Sequence, residues 1–328
     1  MLAYLVRRLL YMIPTLIAIS IVSFFIIQLP PGDYLSTLVA NLAAQGDQID
    51  SARLTALRDR FGLDQPIWVQ YWKWISGIVF YGDFGHSFEW NRPVSQLIWQ
   101  RLGLTFVLSF STLIFTWAIS LPTGIFSAVR KYSVPDYVAT FLGFIGLAIP
   151  NFLLALVLMY VSFKYFNQSV GGLFSPQYIE APWSWSKAVD LLAHLWVPMI
   201  VLGTAGTAGL IRIMRANLLD ELHKPYVETA RAKGLSERRL LLKYPVRVAL
   251  NPFVSTVGWV LPDLVSGAAI VSIVLSLPTT GPLLLRALNS QDMYLAGSFI
   301  MMLSVLTVVG TFISDLLLAW LDPRIRYR

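Results

Sequence analysis

Residues 102–129 read LGLTFVLSFSTLIFTWAISLPTGIFSAV, twenty-eight residues without a charged side chain. At 1.5 Å per residue, a helix of that length is longer than the ~30 Å hydrocarbon thickness of a bilayer. Five further runs of the same kind lie on either side: Leu9 to Leu29, Tyr137 to Phe163, Leu195 to Ile211, Phe253 to Leu277 and Leu295 to Leu321. The only charges inside the six are Asp263 and Asp315. The whole chain of 328 residues is 56% apolar and 13% charged. An ordinary soluble domain carries about 25% charged residues. The fold class that follows is an all-α integral membrane protein with six transmembrane helices. The chain has no cysteine, which excludes disulfide frameworks, thiolate zinc sites, iron–sulfur clusters and cysteine nucleophiles.

The first run is preceded by Arg7 and Arg8, as a secretory signal would be. It is longer than a signal core, however, and residues 28–32, QLPPG, lack a small-x-small cleavage pattern, so a retained helix is expected. Six crossings put both termini on one side, and the charges choose which. With cytoplasmic termini, the inner segments 1–8, 130–136, 212–252 and 322–328 hold 16 Lys and Arg against 6 acids, while the outer segments hold 9 against 10. The net charge of +7 is therefore an inner excess, as the positive-inside rule expects, and does not require a nucleic-acid partner.

Between the first two helices, residues 30–101 form an extracytoplasmic helical subdomain. Ser51 can cap a helix with Leu54, Leu57 and Phe61 on one face and Gly62 as its stop. A second helix is expected from Asp64, with Pro66 in its first turn. It places Ile67, Tyr71, Trp74 and Ile78 near one face, with Trp68, Trp72 and Ile75 beside it. That aromatic surface suits a subdomain resting on the bilayer or a docking partner protein. Residues 164–194 repeat the style with Trp183 and Trp185.

The inner loop 212–252 is the densest charge cluster in the chain. Residues 217–222 and 226–233 are compatible with helix, and Gly234 suits the left-handed residue that ends one. Ser236 can cap a second short helix, with Glu237 in its first turn and Leu240, Leu241 and Tyr244 on it, before Pro245. Asn251 and Pro252 read as cap and first turn of the fifth membrane helix. Three uses fit two short amphipathic helices at a membrane face: docking a protein, lying on anionic lipid, or meeting nucleic acid.

Residues 226–239, YVETARAKGLSERR, resemble the Glu-Ala-Ala-x-x-x-Gly signature of permease subunits of binding-protein-dependent ABC importers. The longer run looks like the dipeptide/oligopeptide/nickel branch. Four more segments look like the first permease of that branch: residues 4–15 (YLVRRLLYMIPT) with 31–33 (PGD), 62–71 (GLDQPIWVQY), 82–87 (GDFGHS) and 321–327 (LDPRIRY). The resemblance implies a multi-pass subunit of a prokaryotic cytoplasmic membrane, with residues 102–328 as a five-helix permease core behind the first helix. It also implies a second homologous permease, two ATPase subunits or domains that bind ATP and Mg, and an extracytoplasmic substrate-binding protein. The signature loop would couple to the ATPase: Glu228, Ala230 and Gly234 match it, Thr229 replaces its second-position alanine, and Arg231 and Lys233 could meet acids on the partner.

No Gly-x-x-x-x-Gly-Lys-Ser/Thr run occurs, so the chain is expected to be non-catalytic and to bind no cofactor itself. Gly203, Gly206 and Gly209 lack dinucleotide spacing and read as close-approach positions between helices. His86, His194 and His223 lack metal-ligand spacing. A carboxylate within hydrocarbon must face protein or water. Asp263, following Pro262, is therefore a translocation-path candidate, whereas Asp315 sits where an inner-leaflet Lys or Arg could pair with it. Pro122, Pro150, Pro198 and Pro262 interrupt helices, and Asn151 beside Pro150 is a second lining candidate. Many relatives have Val-Val-Glu-Thr-Val-Phe-Ser-Leu-Pro-Gly-Leu-Gly where residues 270–281 read IVSIVLSLPTTG. Ser272 thus replaces a carboxylate and becomes the third candidate. The change leaves sugar oligomers and nickel open beside peptides. A stand-alone secondary transporter or channel would need an internal repeat and midplane charges, and an intramembrane hydrolase would need a nucleophile, metal or dyad motif.

Overall fold

The computed structural model describes residues 2–29, 34–44, 64–168, 171–256 and 269–321. Among them there are helices and no strand. In chain order they are α1 (Leu2–Ile27), α2 (Tyr34–Ala44), α3 (Ile67–Ser76, extended by a π-helical turn Gly77–Tyr81), α4 (Val94–Val129), α5 (Val134–Ala148) and α6 (Asn151–Phe166). There follow α7 (Trp185–Leu222), α8 (Pro225–Ala232), α9 (Glu237–Lys243), α10 (Pro245–Ala249), α11 (Ala269–Val274), α12 (Thr280–Asn289) and α13 (Met293–Leu321). The helix expected after Ser51 lies outside the described residues, as do Asp263 and nearly half of the fifth run, of which 253–256 and α11 are seen as helix.

Among the described residues, four helices are long and apolar enough to cross a membrane: Val6–Ile27, Val94–Val129, Trp185–Leu222 and Met293–Trp320. The run Tyr137 to Phe163, expected as one helix, is two: α5 and α6 meet at 101°. Pro150 is the cause. It has no N–H to continue the ladder, and its ring drives the preceding residue out of the helical region; Ile149 accordingly sits at φ −83°, ψ 121°. Counting this bent pair as one span brings the total to five. Pro122 and Pro198 correct the expectation in the other direction, because α4 and α7 run through them unbroken.

The chain divides into two compact units. One comprises Leu104–Pro278 with Val309–Arg328. Its first core joins Leu108, Ala155, Leu191, Leu195, Val197 and Val201 to Val271, Leu275 and Leu277. A second core sets Leu210, Met214 and Leu218 against Ala128, Val246, Ala249 and Phe253. The glycine reading holds at Gly203, where an added Cβ would stand 2.6 Å from Phe115, but not at Gly209, which has nothing within 4 Å. Comparably close approaches that the spacing did not reveal occur at Gly146, 2.5 Å from Thr204, and Gly124, 2.6 Å from Met214.

The other unit comprises Leu2–Gly103 with Thr279–Val308. Its core contains Phe24, Tyr34, Leu35, Trp74, Phe88 and Met293. Helix α3 turns Tyr71, Trp74, Ile75 and Ile78 inward, whereas Ile67, expected on that face, is exposed. Asp292, fully buried at the start of α13, ties this unit together: its carboxylate accepts from Ser87 Oγ at 2.5 Å, from Glu89 N at 3.2 Å and from Leu295 N at 3.2 Å.

Candidate functional site

Helix α7 has 38 residues, about 57 Å at 1.5 Å each, nearly twice a bilayer's hydrocarbon thickness. Residues 217–222, expected as a separate loop helix, are its last turns. One continuous helix therefore runs from the apolar span into the charged loop. Lys224 is extended, and Pro225 restarts the chain as the first residue of α8, a position where its missing N–H is harmless.

Helix α8 ends in a Schellman motif. Gly234 N donates to Arg231 O at 2.9 Å and Leu235 N to Ala230 O at 3.4 Å. Gly234 has φ +78°, the left-handed conformation expected of it, and an added Cβ there would meet nothing within 4 Å. Ser236 precedes α9 with extended backbone but makes no side-chain cap bond, contrary to the capping role expected of it. The two short helices close on a small core of Val227, Ala230 and Leu240, flanked by Leu235 and Tyr244.

Ala230 is therefore 7% exposed and faces the hairpin's own core, so its small size serves contact between α8 and α9. Glu228, Thr229, Lys233 and Gly234 are exposed on the hairpin surface. Thr229 Oγ1 donates to Pro225 O at 2.8 Å, a bond within its own helix. Arg231, expected to meet acids on a partner, is engaged within the chain: its Nε lies 2.6 Å and its Nη2 3.3 Å from the Glu237 carboxylate. The Gly234 turn brings these two residues together. The Arg231 guanidinium holds the Glu237 carboxyl below the usual range. At the start of the hairpin, Tyr226 OH donates to Glu221, and burial together with this bond raises the phenol's pKa.

The hairpin borders a groove of about 670 Å³ lined by Val129, Lys131, Leu222, His223, Glu228, Arg231, Glu237, Arg238 and Leu241 among others. A second clasp adjoins the turn between α4 and α5. Asp136 in the first turn of α5 accepts from Arg215 of α7 through Nε at 3.1 Å and Nη2 at 3.0 Å, and from Tyr132 N at 2.9 Å. The pair is 79 residues apart in sequence, and neither residue carries a local signal of the other.

Of the path candidates, Asp263 lies outside the described residues. Asn151 is half-buried at the first position of α6. Ser272 is 1% exposed within α11, and its hydroxyl has no hydrogen-bond partner among the described residues.

Two family models match this chain: residues 120–327 match "Binding-protein-dependent transport system inner membrane component", and residues 1–109 match the corresponding N-terminal model. The chain is 39% identical over its full length, and that of the relative, to the oligopeptide transport system permease protein AppB of Bacillus subtilis. It is 32% identical, again over 100% of both chains, to the dipeptide transport system permease protein DppB of Alkalihalophilus pseudofirmus and to the glutathione transport system permease protein GsiC of Salmonella choleraesuis. Among solved structures, an inward-facing form of the MetNI methionine ABC transporter matches with a TM-score of 0.52 at 17% identity, over 70% of this chain and 97% of that one. This last likeness concerns the fold alone.

Proposed function

Because this chain belongs to the inner membrane components of binding-protein-dependent transport systems, we propose that it is the permease subunit of an ATP-driven importer of peptides. In this reading it is non-catalytic and binds no cofactor. It forms half of a translocation path with a second, similar permease, receives substrate from an extracytoplasmic binding protein, and is driven by two ATPase subunits or domains that hold ATP and Mg. Six crossings with cytoplasmic termini agree with the inner excess of basic residues. Asp263, Asn151 and Ser272 are the proposed path residues. Peptide is preferred over sugar oligomer or nickel because the full-length relatives carry peptide and glutathione names.

The observation that carries the coupling role is the exposed α8–Gly234–α9 hairpin at the end of the long helix α7. Closure of a partner around this hairpin would be transmitted along α7, to which α10 is fastened through Val246 and Ala249. The test is uptake and substrate-stimulated ATPase in vesicles for Glu228→Ala and Gly234→Asp. Aspartate tolerates a left-handed backbone and finds open space here, so the chain still folds. Both variants are expected at normal level in the membrane with uptake lost. Uptake coupled to ATP as in the wild type would refute the docking role.

A further inference from the structure

Helix α3 and its π-helical extension carry large apolar side chains that this chain leaves uncovered. Trp68 and Trp72 are 70% and 66% exposed, and Val79, Phe80 and Tyr81 are 65%, 73% and 84% exposed. The opposite side of α3 is fully engaged, and its contacts measure depth along two membrane-spanning helices. Against α1, Gln28 Nε2 donates to Gln70 Oε1 at 3.3 Å, the Phe24 ring lies 5.4 Å from both Tyr71 and Trp74, and Tyr71 OH is 2.9 Å from Ser20 Oγ. The apolar span of α1 is Val6–Ile27. Ser20 therefore lies seven residues, about 10 Å, inside its end.

Against α13, Trp74 Nε1 donates to Ser298 Oγ at 3.2 Å, and that hydroxyl donates to Phe84 O at 3.3 Å. The apolar span of α13 begins at Met293, so Ser298 is five residues, about 7 to 8 Å, inside it. Trp74 and Phe84 bracket the turn Gly77–Tyr81, which is thereby held near the same level.

We propose that Ile67–Tyr81 is an interfacial element embedded in the leaflet reached by the Ile27 end of α1, and that phospholipid occupies its Trp68, Trp72 and Phe80 face. Tryptophan and tyrosine concentrate at this depth because one end of each ring is apolar and the other polar. Lys73, exposed in the last turn of α3, can extend its ammonium to the phosphate level while its stem stays in apolar surroundings. At the same level of α1, Val22, Phe25 and Ile26 are likewise exposed, so the apolar surface of the span continues beside α3. The inference needs the spans alone and does not rest on the transport reading.

The chain has no cysteine, so single labels need no background removal. Trp72→Cys and Phe80→Cys, with Trp68→Cys as a substitute if either fails to assemble, are labelled with a nitroxide in the full-length protein. The protein is reconstituted with its copurifying subunits in phosphatidylethanolamine/phosphatidylglycerol vesicles. Power-saturation EPR then compares collisions with oxygen, which enters lipid, and with a water-soluble nickel chelate. Oxygen accessibility several-fold above nickel accessibility at both positions is the expected result. Nickel accessibility equal to or above that of oxygen would place the face in water, and shielding from both reagents would mean a protein partner covers it; either result overturns the proposal.

Discussion

Replacing Arg215 with methionine keeps most of the bulk of the side chain and removes its charge, leaving the Asp136 carboxylate with the Tyr132 N–H bond but without its cation. The Asp136 side chain is 3% exposed and that of Arg215 28%. Breaking a buried ion pair costs roughly 3–5 kcal/mol, because the surviving charge is stranded. Here Tyr132 N–H and partial exposure of the site reduce that figure to about 2–3 kcal/mol. Asp136→Asn alone should cost about 1 kcal/mol, since Arg215 can turn toward water and Asn can still accept from Tyr132 N. The double variant strands no charge and is also expected about 1 kcal/mol below wild type. The coupling between the two positions is then about 2–3 kcal/mol. Unfolding free energies from SDS titration of the purified protein in mixed micelles measure all four corners of the cycle. A double variant as unstable as the sum of the single changes would refute the stranded-charge argument.

Three further outcomes follow from the same structure. Gly203→Ala should destabilise by roughly 1–3 kcal/mol through overpacking against Phe115, while Gly209→Ala, with open space, should be neutral or stabilising in the same titration. Gly234→Val costs at least about 1–2 kcal/mol of backbone strain although a Cβ there meets nothing within 4 Å, so amide exchange across 227–240 should accelerate, whereas Gly234→Asn stays near wild type; unchanged protection in the valine variant would refute the Schellman reading. Burial raises the Asp292 carboxyl above the ordinary carboxylate range despite the bonds from Ser87 and the backbone of Glu89 and Leu295. The folded protein therefore holds this proton where the unfolded chain has released it. The resulting stability is present in acid and lost as pH rises through the folded value. Thermal melts from acid to neutral pH should show that decline in the wild type and a flatter profile in Asp292→Asn.

What the sequence determined by itself are features governed by local chemistry. Uninterrupted apolar runs dictate helices that lie in lipid, because no other structure but a closed barrel satisfies the backbone there. Asymmetric Lys and Arg content in short loops points to an orientation. Gly234 was legible as the left-handed end of a helix because glycine alone carries no Cβ penalty there, and Ser236, Glu237 and Pro245 marked a second short helix after it. The signature residues were visible as a motif, but their division of labour was not.

Only the tertiary structure decided that Ala230 faces inward, that Arg231 is taken by Glu237, and that Gly203 rather than Gly209 is the tight approach. Each depends on which neighbour lies across a turn or a helix pair, and a single chain carries no record of that. The same holds for prolines: Pro122, Pro150 and Pro198 look alike in sequence, yet only Pro150 breaks its helix. Whether a proline kinks or breaks depends on whether surrounding side chains hold the two halves in line. The Asp136–Arg215 and Ser87–Asp292 links join residues 79 and 205 positions apart. Such contacts exist because helices converge in three dimensions, and convergence is decided by packing rather than by local pattern.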